Sequence, residues 1–518
     1  MSYTRSFGVL ATASALLATP FMLAAGGRTQ ASAVPQAAAQ GAQSAATADL
    51  TAAVRQAIAA TGLKKASISV SVRDMATGRV LADVNGDQPM LPASNMKVLT
   101  TGAALHTLGA DFSFRTRLLR NGDQLVVVGD GDPSFGDPVL LEQMVFTDPQ
   151  GNQHRGMTVD GLLDYWVDAV KRAGVTQVRE LVVDDRVFDR QFTHPTWPAD
   201  QLDNAYCAQI SGLMFHTNLL HAYIAAAGGR AELTRWEPAA PWLRVVNKSA
   251  AATKKNDSGV WVGRTEDAST FTLNGHIKSS LAEPVAVCVN DMPAFFARLL
   301  AERLRAAGVN VASARTAAPA DPASSGTALG PVIQTPLRTV VQRCNTDSQN
   351  MYAESLLKRI GYAKAGGAPG SWANGAQALA AAIDERLGAG SAAKWLVVSD
   401  GSGLSRGNRV APHLVTAWLR SIGLDSAMRD AFIESLAVAG ETGTVSKRFK
   451  DLDTTKVFAP CKTGYINGVS CLSGFVGPVG GQPRYSFSIL CNDLTEPNAV
   501  GKAKQMQERV VKALANAL

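Results

Sequence analysis

The sequence predicts a mixed α/β (α+β) core, an antiparallel sheet flanked by helices, interrupted by a large and mostly β inserted region. Three observations lead there. Both ends of the chain mix helical spacing of apolar residues with one-by-one alternation. Between them roughly 200 residues are dominated by short alternating runs, too long for a loop and long enough to own a core. A stretch with the composition of a linker, TAAPADPASSGTALGP (316–331), closes that middle part.

Taken in order, Arg5 precedes the apolar run FGVLATASALLATPFMLAA (7–25), and small residues follow up to Ala31-Ser32-Ala33. A positive start, an apolar centre and an A-x-A site predict a secretory signal peptide over 1–33. Pro20 interrupts the run, which argues against a lasting membrane anchor, and no cysteine near the site suggests a lipid anchor. Residues 34–48, rich in Ala, Gln, Ser and Thr, read as a flexible leader. The expectation is an exported, periplasmic protein with no membrane span in its mature form.

LTAAVRQAIAATGL (50–63) has the spacing of an amphipathic helix. SISVSVRDMATGRVLADVN alternates on both sides of Ala76-Thr77-Gly78, a hairpin pattern. PASNMK (92–97) then opens an apolar helix. The inserted region, 115–331, is expected to form two small domains. Its strands are FSFRTRLL, QLVVVGD, RELVVDD, WLRVV, GVWVGR, FTLNGHI and PVAVCVND, with helices at 159–175 and 292–309. The core is expected to comprise 49–114 and 332–518: helices through about 435, three strands around 457–491 and a closing helix at 500–518.

Hydrophobic residues make up 46% of the 518 and charged ones 18%, the balance of a globular chain and not of a disordered one. The net charge of +7 contains no long basic run, and aromatics at 6% do not interleave with arginine, so no nucleic-acid partner is expected. There are six cysteines: Cys207, Cys288, Cys344, Cys461, Cys471 and Cys491. Cys471 and Cys491 lie symmetrically about Gly481, which predicts a disulfide across a hairpin. Neither C-x-x-C nor H-E-x-x-H occurs, and the seven histidines show no constellation, so no metal or other cofactor is expected.

Ser94 and Lys97, three apart at a helix start, share a face. Ser355–Lys358 and Ser391–Lys394 repeat the spacing, so the pattern alone selects nothing. Two further elements select. Ser348-Gln349-Asn350 opens an apolar helix, and Lys462-Thr463-Gly464 lies on a strand entering an Asn-Gly turn. In that order, S-x-x-K, S-x-N and K-T-G match the signature set of penicillin-binding proteins and class A β-lactamases. Only Ser94–Lys97 lies upstream of the second element, after a hairpin.

The chemistry fits acyl transfer. Lys97, kept neutral by burial or a neighbouring cation, takes the proton of Ser94. Ser348 relays a proton to the leaving amine, and Asn350 orients Lys97 and the substrate amide. Lys462 and Thr463 hold a peptide carboxylate, Gly464 continues that strand, and the N–H groups of Ser94 and Tyr465 form an oxyanion hole. DGSGLS (400–405) lacks the first glycine of a nucleophile elbow, so Ser402 reads as turn structure.

On these residues the chain resembles the class C low-molecular-mass penicillin-binding proteins, the D-alanyl-D-alanine carboxypeptidase/endopeptidase family. The 254 residues from Ser94 to Ser348 are similar to the large insertion of that class; LGADFSFRTRL, VVVGDGDPSF, RELVVDDRVFDRQ and DGSGLSRGNRVAP extend the likeness. The resemblance implies a penicillin-binding/transpeptidase-like core and removal of the terminal D-alanine from peptidoglycan stem peptides. It also implies cleavage of peptide crosslinks in many members and covalent inhibition by β-lactams. WPADQLDNAYCAQ resembles the family segment that reaches the cleft, which nominates Asp200 and Tyr206 as substrate contacts. Gln349 stands where an acid is usual and Tyr465 where a small hydroxyl residue is common. A non-turnover wall-binding or β-lactam-sensing protein and a β-lactamase are the competing readings.

Overall fold

The structure is a computed structural model that describes residues 50–147, 152–252, 259–265 and 267–518. The expected signal peptide and leader lie outside the described residues. Among the described residues no helix is long and apolar enough to cross a membrane.

The alternating run before and after Thr77 forms β1 (Ser67–Asp74) and β2 (Val80–Val84), an antiparallel hairpin. Apolar positions in PASNMKVLTTGAAL form α1 (Met96–Leu108), whose first ten residues are all buried. The chain then enters β3 (Ser113–Asn121), β4 (Gln124–Val128), α2 (Val159–Arg172) and β5 (Gln177–Asp184). Next come β6 (Leu219–Ala227), β7 (Arg230–Glu237), β8 (Val285–Cys288), α3 (Met292–Ala306) and β9 (Asn310–Thr316). Helical texture returns with α4 (Leu337–Thr346), α5 (Asn350–Lys364), α6 (Trp372–Leu387) and α7 (Pro412–Gly423). The chain ends with β10 (Pro460–Ile466), β11 (Val469–Pro478), β12 (Tyr485–Asn492) and α8 (Ala499–Asn516).

Strands from both ends of the chain form one seven-stranded sheet, antiparallel throughout: β2-β1-β12-β11-β10 in order, with two short strands, Ala437–Val438 beside β10 and Val457–Phe458 beside β11. Leu472, Val476 and Ile489 on one face pack with Met506 and Val510 of α8 and with Val54. Cys471, Phe475 and Leu490 on the other face pack with Leu99 of α1, Leu356 of α5 and Trp418 of α7. Sheet between helices on both faces is the predicted architecture, and residues three or four apart on the helices and two apart on the strands supply both cores.

The middle of the chain builds sheets of its own. β9 and β4 flank β5 in parallel and β3 pairs antiparallel with β4. β8-β6-β7 is a separate antiparallel sheet. The β6–β7 hairpin was not among the predicted strands: LLHAYIAAA is rich in alanine, a poor strand former, and owes its conformation to its neighbours.

The expected disulfide is absent. Ser470 faces Cys491 and Cys471 faces Leu490, so the two cysteines are one residue out of register. A one-residue offset sends side chains to opposite faces. Cys471 accordingly packs against the α1 side and Cys491 against the α8 side, and all six cysteines are free and buried.

Candidate active site

Ser94 sits in a single helical turn, Ala93–Asn95, that leads into α1. Ala93 holds φ +45° there, a left-handed conformation costly for a non-glycine residue. Lys97 lies three residues on, fully buried, with Nζ 3.0 Å from Ser94 Oγ. The same Nζ donates to Asn350 Oδ1 at 2.7 Å and to the Ser402 carbonyl at 3.0 Å. Those two oxygens can only accept. A neutral amine therefore spends both N–H groups on them and turns its lone pair to the Ser94 hydroxyl.

Several contacts lock the turn in place. Asn95 Nδ2 donates to the Lys462 carbonyl at 3.0 Å, and Ser473 donates to Asn95 Oδ1. Gly464 lets β10 approach, since a Cβ there would stand 2.7 Å from the Pro92 carbonyl oxygen. Gly403 is tighter: at φ +85°, its Cβ would stand 1.7 Å from the Ala93 oxygen.

Ser348 occupies the loop between α4 and α5 with φ +62°. Its Oγ accepts from Lys462 Nζ at 2.8 Å, and Lys462 also donates to the Thr463 carbonyl at 3.1 Å. The Thr463 hydroxyl lies 2.8 Å from that of Thr444. Desolvation lowers Lys97 to about 8; desolvation, then the charge of Lys97, lowers Lys462 to about 7. Burial pushes the Cys344 thiol up to about 12, so it brings no negative charge to the lysines.

Ser94, Asn350 and Tyr465 line one cleft of about 680 Å³. Tyr206 lines it too: its carbonyl accepts from Asn350 Nδ2 at 2.9 Å and its hydroxyl donates to Gln201 at 3.1 Å. Asp200 is exposed and is not among the lining residues, whereas Gln201 is. The two repeats of the S-x-x-K spacing lie elsewhere. Ser355 donates to the Gly131 carbonyl, and Lys358 is spent on Asp189 and the Gln191 carbonyl. Ser391 donates to the Leu387 carbonyl.

Two carboxylates, Glu354 and Asp400, join the site without being among the residues the sequence nominates. Glu354 on α5 is fully buried and accepts from the N–H groups of Gly401 at 2.9 Å and Ser402 at 2.7 Å and from Trp372 Nε1 at 2.8 Å. It thereby presents the Ser402 carbonyl to Lys97. Asp400 accepts from the N–H groups of Gly403 and Ser405, closing the loop that Ser402 belongs to. Desolvation, then the Asp400 charge, raises Glu354 to about 7. The available signal was a carboxylate inside the apolar run NMYAESLLK, since buried acids must be paid for in hydrogen bonds.

The D-Ala-D-Ala carboxypeptidase 3 (S13) family matches residues 50–515. A D-alanyl-D-alanine carboxypeptidase of Actinomadura sp. (strain R39) is 31% identical over 461 residues, covering 84% of this chain and 79% of that protein. The D-alanyl-D-alanine carboxypeptidase DacB of Haemophilus influenzae is 24% identical, covering 85% and 88%. The crystal structure of penicillin binding protein 4 (dacB) from the same organism superposes with a TM-score of 0.69 at 22% identity, over 90% of this chain and 99% of that one.

Proposed function

The chain belongs to the D-Ala-D-Ala carboxypeptidase 3 (S13) family and is a serine-type D-Ala-D-Ala carboxypeptidase, and on that premise we propose that it works through an acyl-enzyme on Ser94. The observation that carries the assignment is the buried Lys97 amine 3.0 Å from Ser94 Oγ, with two obligate acceptors taking its N–H groups.

Neutral Lys97 takes the Ser94 proton as Oγ attacks the carbonyl of the penultimate D-alanine. The Ser94 and Tyr465 N–H groups stabilise the oxyanion, at about 3 kcal/mol per donor. The C–N bond then breaks while the Ser348 hydroxyl gives its proton to the leaving amine and regains one from Lys462. Lys462 and Thr463 hold the terminal carboxylate before it departs. Once Lys97 has released the Ser94 proton to solvent and Lys462 has taken one back, water attacks the ester, and Lys97 accepts its proton and returns it to Ser94 Oγ as the ester C–O bond breaks and the shortened peptide leaves. β-Lactams acylate the same oxygen. Asn350 positions Lys97, and Tyr206 and Gln201 contact the stem-peptide side chain. Residues 49–114 and 332–518 form the catalytic core and 115–331 its insertion, and the chain acts in the periplasm on peptidoglycan.

Fluorescent penicillin should label the wild type and spare Ser94→Ala, and mass spectrometry should place the adduct on Ser94. Lys97→Arg should be nearly inactive, because a guanidinium cannot serve as base at working pH. A labelled Ser94→Ala would end the assignment. Release of D-alanine from a stem-peptide mimic separates turnover from mere binding, and nitrocefin hydrolysis would point to a β-lactamase.

A further inference from the structure

β6 and β7 pair so that His221 lies directly opposite Glu237. Directly opposed residues share a face of the sheet. Leu220, Ala222 and Ile224 point the other way, into the apolar core of the inserted region. A third residue, His216, reaches the polar face from the turn before β6. In that turn three consecutive non-glycine residues, His216, Thr217 and Asn218, take φ of 51°, 54° and 56°. Left-handed conformations of this kind are unfavourable for residues with a Cβ and persist only where the surroundings enforce them.

The His216 side chain is fully buried. Its Nδ1 lies 2.9 Å from the Leu219 carbonyl oxygen, an acceptor only, so Nδ1 carries a proton and Nε2 is the nitrogen left to face an ion. Nε2 is buried and has no hydrogen-bond partner. Glu237 Oε1 lies 3.5 Å from it and 4.0 Å from His221 Nδ1. One ligand atom from each of the three residues falls within 4.8 Å of the other two. Tetrahedral coordination at 2.0–2.1 Å sets ligand atoms about 3.3 Å apart, so side-chain rotation alone would close the cluster.

We propose that His216, His221 and Glu237 bind a divalent transition-metal ion of the zinc class. Two imidazoles and one carboxylate suit such an ion, whereas magnesium and calcium prefer all-oxygen sites. The outer partners are in place. The Leu219 carbonyl fixes the His216 ring, and Arg235 donates to Glu237 Oε2 at 3.0 Å, which orients the carboxylate and leaves Oε1 for the ion. His221 and Glu237 are 20% and 25% exposed, an entry path and room for a water as fourth ligand. None of the three lines the catalytic cleft, so the ion ties the 216–218 turn to both strands of the hairpin and takes no part in acylation. The ligands are spaced 216, 221 and 237, with no short motif, which is why the sequence led to an expectation of no metal.

The test uses the full chain stripped with chelator. Zn(II) titrated by calorimetry should bind at one equivalent per chain and raise Tm, and Co(II) should give the visible absorption of a four-coordinate site. His221→Asn and Glu237→Gln should each weaken Zn(II) binding by at least about 100-fold. Both variants should still be labelled by fluorescent penicillin, which shows that they are folded. No stoichiometric Zn(II) binding by the wild type overturns the proposal without any variant. So does equal affinity in both labelled variants, or equally tight binding of Mg(II) or Ca(II).

Discussion

Two ammonium groups buried in one site compete for charge, and the substrate's own carboxylate should decide which keeps it. In the free enzyme desolvation lowers Lys97 to about 8, and desolvation with the charge of Lys97 lowers Lys462 to about 7. Lys462 therefore gives up its proton first. The last proton of the pair then sits mainly on Lys97, where it blocks the base. An anion placed against Lys462 should raise that group by 1–3 units. Lys462 then stays charged, and its charge opposes protonation of Lys97. If the repulsion lowers Lys97 by about one unit, the neutral fraction at pH 7 rises from ~0.1 to ~0.5, a gain of about fivefold in competent base.

The perturbation is amidation of the peptide's terminal carboxylate. The assay is acylation followed in single turnover across roughly pH 6–10, at limiting and at saturating peptide. With the free carboxylate, the saturated rate should rise through an apparent pKa about one unit below the one governing the second-order rate constant. With the amide, the two limbs should coincide near 8, and acylation at pH 7 should be at least about fivefold slower. The sign is unambiguous: the neutral amine is the active form, so rates climb with pH, and the carboxylate moves the climb to lower pH. Identical limbs for acid and amide, or a limb moved upward by the carboxylate, would refute the coupling of Lys462 to Lys97.

Glu354→Ala leaves three buried donors unsatisfied, at about 1–3 kcal/mol each. The sum rivals the whole stability of a domain, so the variant should fail to accumulate as folded protein. Glu354→Gln keeps one acceptor oxygen and sets an NH2 against a backbone N–H. It should lose about 1–3 kcal/mol in denaturant titration and slow penicillin acylation, because the Ser402 carbonyl that receives Lys97 shifts; unchanged acylation would show that Glu354 is only structural. Gly403→Ala must move the Ala93–Asn95 turn, since no Cβ fits 1.7 Å from the Ala93 oxygen. Penicillin labelling should fall by at least about tenfold, and full labelling would mean that the turn tolerates displacement.

The elements that sequence made legible are those whose chemistry is carried by side-chain type at short spacing. The β1–β2 hairpin and α1 announce themselves by alternation and by apolar spacing, and Ser94, Lys97, Ser348, Asn350 and Lys462 each sit in a three-residue or four-residue pattern. What stayed hidden depends on register or on backbone atoms. Symmetry about Gly481 sets Cys471 opposite Cys491, one residue from the register the strands adopt, and a sheet converts one residue into the opposite face. The β6–β7 hairpin hid behind alanines that carry no strand preference. The Ser402 carbonyl, the Glu354 carboxylate that aims it and the strained turns at Ala93 and Ser348 leave no pattern, because a backbone oxygen or a left-handed φ can be supplied by almost any residue. Yet these are the parts that set the working geometry. A motif supplies an amine and a hydroxyl three residues apart, a common accident on helices, as Ser355–Lys358 illustrates. The difference at Ser94–Lys97 is that Asn350 and Ser402 occupy both N–H groups of a neutral amine, leaving its lone pair one place to point.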